Sequence, residues 1–320
     1  MHTNYIPPKR KTKVVFVQLG STEAPTPKAL RKYLRNFLGD PRVIDIPAWK
    51  WKIILNCFVL PFRPAKSAKL YERIWDGKSF PLITNTENFT NSVRDELKKI
   101  DPEGYVEVNH AFLLSPPYVN EVYDSWEEDL KNNVGATKLM VIPMFPQYSE
   151  STIASGVDAL AKELSQRVKI PTFEVITNFH RTHAFIDNSV TQLDAKVEEL
   201  NKQGIEIDKL VISFHGMQKR RVVFKGDDYY RHCYETYRLI VDRLKRLRPE
   251  QTVMTFQSRF GREEWITPYT EKVVEDLIGE GHKQLMIYSP SFVADCLETT
   301  DELGHELAEE AKEWGGNVYP

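Results

Sequence analysis

Short apolar runs rich in β-branched residues alternate with amphipathic stretches along most of the chain, and this alternation most limits its possible folds. The first run, residues 13–20 (KVVFVQLG), ends on a glycine and is typical of a buried parallel strand. The stretch after it has apolar residues at helical spacing, with Thr26 as predicted N-cap and Pro27 at the first helical position. A strand, a polar turn and a helix form the first unit of a doubly wound sheet.

The same pattern returns at residue 105 and continues along the rest of the chain. Further strands are predicted at 105–114, 138–143, 172–177, 209–214, 252–257 and 284–289. Helices are predicted at 121–132, 153–168, 184–203, 229–247 and 267–280, and an acidic helix begins near Leu297. Strict alternation indicates parallel sheets in an α/β fold. About seven strands in 320 residues indicate two sheets rather than one.

Composition and charge exclude several function classes. The chain is 41% apolar and 28% charged, which is typical of a soluble globular protein. Its formal net charge of −2 leaves no basic excess to neutralise phosphates, so we do not expect nucleic acid as a partner. The first residues lack the apolar core and cleavage site of a signal peptide, and no run approaches the roughly 20 apolar residues of a membrane-spanning helix.

Cysteine usage and the short motifs limit the possible cofactors. Cys57, Cys233 and Cys296 are scattered and odd in number, so they form neither a disulfide framework nor a four-thiolate cluster, and we expect no iron–sulfur cluster. A reducing cytoplasm fits this pattern best. The sequence has no glycine-rich dinucleotide or phosphate loop after a strand, no nucleophile elbow and no tight Cys/His spacing for a permanent zinc site.

Residues 47–64 (PAWKWKIILNCFVLPFRP) form the most apolar stretch outside the strands. They carry more large apolar side chains than one buried helical face needs. Two interpretations are open: a helix packed on all sides in the core, or an exposed apolar lip that receives a flat apolar ligand or contacts a membrane surface. The stretch is too short to cross a membrane.

Three glutamates recur every four residues near the end of the chain, at Glu298, Glu302 and Glu306. On a helix this spacing places three carboxylates along one stripe. Such a row is either a solvated helical face or a path for a cation or protons. The apolar run before it is predicted to be a buried strand, and ligands of open α/β sheets bind beyond the carboxyl ends of strands.

The predicted strand LVISFHG ends on His215, followed by Gly216, which allows a ligand to approach the backbone. A lone histidine is often structural, but one at the exit of a parallel strand is a candidate for catalysis. His215 and Glu298 follow two different strands. They therefore form either a base and a cation ligand facing one crevice, or a simple hydrogen-bonded pair.

Four segments in the same order resemble the ferrochelatase family, whose members insert iron(II) into a porphyrin in the last step of haem synthesis. These segments are LVISFHG, FQSRFGREEWITPYT, SFVADCLETTDEL and the early LG-x(3)-APTP-x(3)-RKYL-x(2)-FL-x-DPRVIDIP. The resemblance runs from about Val14 to Leu307. It implies two Rossmann-like domains with a porphyrin cleft between them. We accordingly expect an N-terminal domain of residues 1–149 plus 305–320, which carries the lip, and a C-terminal domain of residues 150–304, which carries His215 and Glu298.

The resemblance also implies roles for individual residues. His215 and Glu298 match the active-site histidine and the facing glutamate, and are expected to act in catalysis and to meet the metal. Glu302 and Glu306 match a path for metal or protons. The expected porphyrin-binding positions are Arg63, Tyr71, Ser79 and Trp265. Porphyrin and Fe(II) are then substrates, no cofactor is permanently bound, and the lip becomes a candidate for peripheral contact with the inner membrane surface.

These residue types suit the chemistry of the family. Iron enters a porphyrin only after two pyrrole N–H protons leave, and histidine is a proton acceptor near neutral pH. The chain departs from many bacterial relatives at Leu113 and Leu114, where those relatives have Arg-Tyr. The main hypothesis is insertion of Fe(II) into protoporphyrin IX. The alternatives are a relative that holds porphyrin or haem without turnover, and a chelatase for coproporphyrin or for another metal.

Overall fold

A computed structural model describes residues 11–131, 136–261 and 263–320 of the chain. The chain divides into two compact units, and each is described by itself. Unit 1 consists of Met1–Met144 and Glu150–Thr177, and unit 2 of Phe145–Ser149 and Asn178–Pro320. These bounds differ from the expected domains. Residues 150–177 lie in unit 1 because they supply its last strand, and residues 305–320 lie in unit 2 because their terminal strand pairs with that unit's sheet.

Unit 1 contains a sheet of four parallel strands in the order β2-β1-β3-β4. The strands are β1 (Lys11–Gln18), β2 (Val106–Phe112), β3 (Ala136–Pro143) and β4 (Thr172–Val175). The helices are α1 (Pro27–Phe37), α2 (Ala48–Ile54), α3 (Arg63–Arg73), α4 (Pro81–Ile100), α5 (Val119–Lys131) and α6 (Ser155–Ser165). Two π-helical segments, Leu55–Val59 and Glu150–Ala154, continue α2 and precede α6.

The first helix begins as its sequence predicts. The hydroxyl of Thr26 accepts a hydrogen bond from the N–H of Ala29 at 3.3 Å, and Pro27 occupies the first turn. Such a cap contributes about 1 kcal/mol to stability. The apolar side of α1 is buried through Leu30 and Leu34. This burial anchors α1 in an apolar cluster that also contains residues of α3.

Unit 2 contains a second sheet of four parallel strands, in the order β6-β5-β7-β8. The strands are β5 (Lys209–His215), β6 (Thr252–Gln257), β7 (Gln284–Tyr288) and β8 (Asn317–Tyr319). The α-helices are α7 (His183–Lys202), α8 (Lys219–Lys225), α9 (Tyr229–Val241), α10 (Thr270–Gly279) and α11 (Leu307–Glu313). A 3₁₀ turn, Pro249–Gln251, precedes β6, and a π-helix, Glu298–Glu306, precedes α11.

The order of the strands around β5 marks the carboxyl end of this sheet as a candidate ligand site. The chain passes from β5 to β6 on one side, and then to β7 on the other side of β5. In open α/β sheets, ligands bind where the strand order reverses in this way. The strand itself is fully buried from Leu210 to Phe214, so its carboxyl end is held rigidly.

The predicted α/β class with two parallel sheets is confirmed. The described residues form eight strands rather than about seven, because the short β8 was not predicted. Helices α3, α4 and α8 were also missed, although Pro64 and Pro81 stand in the first turns of α3 and α4 and signal helix starts. Helix α9 ends at Val241, earlier than predicted. Within the described ranges, no helix is long and apolar enough to cross a membrane.

Candidate functional site

The buried strand β5 delivers His215 to the carboxyl end of the second sheet. The backbone N–H of His215 donates to the hydroxyl of Ser291 at 3.3 Å. The imidazole Nδ1 lies 2.6 Å from the carbonyl oxygen of Gly216. A carbonyl oxygen only accepts, so this contact assigns the proton to Nδ1 and the lone pair to Nε2. His215 therefore has one nitrogen held by the backbone and one able to accept a proton or bind a metal.

Two aromatic rings stand beside the imidazole. The Trp265 ring centre lies 6.5 Å from that of His215, and the Phe292 ring, at 6.2 Å, meets the imidazole edge-on. The indole N–H of Trp265 donates to the carbonyl of Phe260 at 2.8 Å, which fixes the ring. A Cβ on Gly216 would lie 2.6 Å from the carbonyl oxygen of Gln257 and 3.1 Å from the Trp265 ring. Only glycine fits this position, because the chain and the indole approach so closely.

The acidic residues lie on a π-helix, Glu298–Glu306, rather than on an ordinary α-helix. Single π-helical turns occur often at functional sites. Glu298 and Glu302 are half-buried, whereas Glu306 is exposed. The row of carboxylates therefore leads from a partly enclosed position to solvent.

The Glu302 carboxylate is bound by the residue that follows β6. It accepts hydrogen bonds from the backbone N–H of Ser258 at 2.8 Å and from its hydroxyl at 2.6 Å. Burial raises the pKa of Glu302 above its ordinary value; the Ser258 donors and His215 lower it, and Glu298 raises it further. Glu302 therefore lies close enough to both His215 and Glu298 to interact with them electrostatically.

A buried thiol lies next to these carboxylates. Burial, followed by the negative charge of Glu298, raises the pKa of Cys296 well above its ordinary value. The thiol accordingly stays protonated near neutral pH. Among the described residues, no group of three or more His, Cys, Asp or Glu side chains is arranged to hold a metal ion.

The structure brings together four residues expected from the sequence, His215, Glu298, Glu302 and Trp265, at one end of the second sheet. Four further residues of this site were not predicted: Gln257, Ser258, Ser291 and Phe292. Gln257 ends a predicted strand and Ser258 directly follows it, so their position was a usable signal. The contributions of Ser291 and Phe292 depend on tertiary contacts with His215.

The expected porphyrin-binding residues of unit 1 lie on and after α3. Arg63 begins this helix, and burial lowers the pKa of its guanidinium while Tyr71 raises it. The Tyr71 ring packs edge-on against Phe80, with ring centres 5.4 Å apart. Ser79 lies in the turn before α4, where its N–H donates to a carboxylate oxygen of Asp76 at 2.6 Å.

Unit 1 also contains a cavity of about 300 Å³ beyond the carboxyl ends of β1 and β2. Leu19, Leu113 and Leu114 supply part of its apolar wall. Asp40 and Asp158 also line it, and Asp158 binds the guanidinium of Arg42 at 3.0 Å through Nη2. Leu113 and Leu114 are thus wall residues of this cavity.

The apolar lip, residues 47–64, is exposed rather than packed on all sides. Trp49, Phe58 and Phe62 are 66%, 66% and 68% exposed, whereas Leu55 and Leu60 are buried. The segment contains Lys50, Lys52 and Arg63 and no acidic residue. Of the two interpretations of this segment, the structure supports the exposed one.

Known proteins resemble this chain over almost its whole length. A family model described as Ferrochelatase matches residues 11–320. A ferrochelatase of Idiomarina loihiensis is 38% identical over 309 residues, which are 97% of this chain and 82% of that protein. A ferrochelatase of Marinobacter nauticus is 37% identical over 306 residues, covering 96% of this chain and 80% of that one. The solved structure of SirB from Bacillus subtilis with Fe3+ shares the fold, with a TM-score of 0.50 and 13% sequence identity. The match covers 97% of this chain and 86% of the SirB chain.

Proposed function

Because the chain belongs to the ferrochelatase family of metal chelatases, we propose that it inserts Fe(II) into protoporphyrin IX and releases two protons, as the terminal step of haem synthesis. Both the iron and the porphyrin are substrates in this proposal. No cofactor or iron–sulfur cluster is permanently bound.

The observation that carries this proposal is the contact of His215 Nδ1 with the Gly216 carbonyl, which leaves a lone pair on Nε2. The bond from Nδ1 to the Gly216 carbonyl keeps that lone pair available and fixes the ring direction. A proton taken from a pyrrole nitrogen adds to Nε2, while Nδ1–H keeps its acceptor. The same lone pair is a suitable ligand for iron(II) while Nε2 carries no proton. Because Nε2 cannot hold a proton and iron(II) at once, His215 and Glu298 share the two tasks, and the two pyrrole protons leave in succession.

Glu302 and Glu306 extend the row of carboxylates from the site toward solvent. Glu302 interacts electrostatically with both His215 and Glu298, and Glu306 is exposed. We assign to Glu302 and Glu306 the passage of iron(II) or protons between solvent and His215. Carboxylate oxygens exchange such cations readily when they are not locked in a closed ligand set.

The porphyrin ring needs apolar contact on its faces and polar contact at its carboxylates. We assign Trp265 to the ring face, since its indole is fixed beside His215. We assign Arg63, Tyr71 and Ser79 to the substrate's periphery, where a guanidinium and two hydroxyls suit carboxylates.

The cavity of unit 1 favours protoporphyrin over coproporphyrin as the substrate. Its wall of Leu19, Leu113 and Leu114 suits an uncharged vinyl substituent better than an additional propionate, since leucine side chains give a carboxylate no hydrogen bond. Protoporphyrin has two propionates and two vinyl groups, whereas coproporphyrin has four propionates. We propose that a vinyl edge enters this cavity.

The exposed lip suits contact with a membrane surface. Its tryptophan and phenylalanine side chains match the residues that enter the interfacial region of a bilayer, and its lysines match anionic lipid. We propose peripheral contact with a membrane through residues 47–64.

The test is anaerobic absorbance spectroscopy of the purified protein with Fe(II) and either protoporphyrin IX or coproporphyrin III. We expect the free-porphyrin bands to disappear with protoporphyrin, and His215→Ala to abolish this change. Full activity of His215→Ala would contradict the role of the histidine. Binding shifts without metal insertion would instead identify a porphyrin carrier, and preferential use of coproporphyrin would contradict the assignment of the cavity.

A further inference from the structure

Gln257, the last residue of β6, is in direct contact with both elements that carry the proposed catalytic groups. It pairs with His215 in the register of the sheet, and its backbone carbonyl accepts the N–H of Gly216 at 2.7 Å. Its side-chain Nε2 donates to the backbone carbonyl of Glu298 at 3.1 Å. The side chain is buried, since Gln257 is only 4% exposed.

The amide of Gln257 has one possible orientation. The Glu298 carbonyl only accepts, so the amide nitrogen must face it. The amide oxygen then faces the hydroxyl of Ser213, which donates to it at 2.7 Å. Both ends of the amide are therefore occupied, and a rotation by 180° would place the amide oxygen against the Glu298 carbonyl and break that hydrogen bond.

A chain of buried hydroxyls continues behind the amide. The Ser213 oxygen lies 2.8 Å from the hydroxyl of Thr270, which lies 2.9 Å from that of Thr255. Because Ser213 uses its proton on Gln257, Thr270 must donate to Ser213, and Thr255 to Thr270. All three residues are at most 2% exposed. Hydrogen bonds aligned in this way polarise one another and strengthen the amide's bond to Glu298.

We propose that Gln257 is a positioning residue for metal insertion, which fixes the first residue of the π-helix, Glu298, relative to His215. The proposal rests on the function proposed above, in which these two residues act together. The next residue adds a second attachment, because Ser258 binds Glu302 one turn further along the π-helix. The end of β6 thus binds the backbone of Glu298 and the carboxylate of Glu302.

Two substitutions separate positioning from general stability. Gln257→Leu removes both polar ends of the side chain at similar volume. Gln257→Glu keeps an acceptor for Ser213 but loses the donor to Glu298 unless the new carboxyl is protonated. The protonated acid reproduces the amide's pattern of one donor and one acceptor. Gln257→Glu should therefore regain function as the pH falls.

Gln251 provides a control in the turn that precedes the same strand. Its side-chain Nε2 also donates to a backbone carbonyl, that of Ile207, at 3.2 Å. Gln251→Leu removes an equivalent amide contact, 6 residues away from Gln257 along the chain and outside the site. Its free energy of unfolding, measured by urea denaturation, calibrates the loss caused by a missing amide alone.

The experiment measures kcat and KM for Fe(II) insertion into protoporphyrin IX between pH 6 and pH 9. We expect Gln257→Leu to lower kcat roughly 10- to 100-fold, as misplaced catalytic groups do, with the porphyrin KM within about twofold of wild type. Gln257→Glu should show the same loss at pH 9 and a recovery toward pH 6 that wild type lacks. Gln251→Leu should keep the wild-type kcat. Equal kcat values for Gln257→Leu and Gln251→Leu would overturn the proposal.

A binding measurement tests the positioning even if the proposed function fails. The affinity for Co²⁺, used as a stable stand-in for Fe(II), is measured by calorimetry in wild type and both leucine variants. If wild type inserts no metal into either porphyrin, the proposed function is wrong. A roughly tenfold weaker Co²⁺ affinity in Gln257→Leu alone would then still support positioning, and an unchanged or undetectable affinity would overturn it.

Discussion

Glu302 binds both the backbone N–H and the hydroxyl of Ser258, at 2.8 and 2.6 Å, and holds that serine in the left-handed backbone region with φ of 64°. Serine is rarely found in this region, where residues other than glycine are strained. The carboxylate stabilises the conformation through two charge-assisted hydrogen bonds. Glu302 therefore shapes the turn after β6, in addition to its place in the row of glutamates.

Removal of the Glu302 carboxylate should lower stability measurably. We expect Glu302→Ala to reduce the free energy of unfolding by about 1–3 kcal/mol, because two half-buried donors of Ser258 lose their acceptor. The exposed Glu306 is the control, and Glu306→Ala should change stability by less than about 0.5 kcal/mol. Urea denaturation of the two variants compares them. Equal losses would mean that the Ser258 contacts contribute nothing specific.

Gly216 should not tolerate even one added methyl group. A Cβ there meets the Gln257 carbonyl oxygen at 2.6 Å and the Trp265 ring at 3.1 Å, so Gly216→Ala must displace one of them. We expect a loss of about 1–3 kcal/mol in stability and a lower rate of metal insertion. Gly279→Ala, at a helical position with open space, should instead be neutral or stabilising by up to about 1 kcal/mol. Thermal unfolding and insertion assays of both variants test this.

Two buried, stacked histidines in unit 2 should make stability depend on pH. The rings of His180 and His232 lie 3.9 Å apart, and both residues are buried. His180 donates from Nε2 to the carboxylate of Glu235 at 2.8 Å, and His232 Nδ1 accepts the N–H of Tyr148 at 3.1 Å. Burial lowers the pKa of His180, and burial together with the charges of His180 and Arg231 lowers that of His232 to about 4.

A lowered histidine pKa means that the unfolded chain binds protons more readily than the folded one. Stability from these groups is therefore complete above the ordinary pKa of 6.5 and falls as the pH drops toward 4. For His232 alone the loss between pH 7 and pH 5 is about 2 kcal/mol. We expect His232→Gln to flatten this dependence in urea denaturation at the two pH values. The exposed His183 is the control, and His183→Gln should keep the wild-type slope.

The apolar lip should bind lipid vesicles through its exposed aromatic residues. Transfer of one large apolar side chain out of water contributes about 1.5–3 kcal/mol. Phe58→Ser should therefore weaken binding to anionic vesicles roughly tenfold or more in a sedimentation assay. Phe224, 82% exposed on α8, lies outside the lip, and Phe224→Ser should bind as wild type. Equal binding by all three proteins would contradict membrane contact through the lip.

The fold class and the strand that carries His215 could be predicted from the sequence alone. Local periodicity predicts β5 because a run of apolar residues must be buried on both faces, and parallel sheets expose their carboxyl ends to ligands. The three-residue strand β8 escaped prediction because so short a run has no period. It joins unit 2 through pairing with β7, so the domain assignment of residues 305–320 also depended on contacts distant in sequence.

The roles of neighbouring side chains were decided only by the tertiary structure. The spacing of Glu298 and Glu302 indicates a helical row, but its π-helical form and the attachment of Glu302 to Ser258 arise from packing against the end of β6. Likewise, the sequence marks His215 as a candidate base, whereas the lone pair on Nε2 follows from a backbone carbonyl 2.6 Å from Nδ1. Periodicity depends on which residues of an element must be buried, so it can be recognised within a short stretch of sequence. Hydrogen-bond partners depend on where distant segments meet, and only the folded chain brings them together.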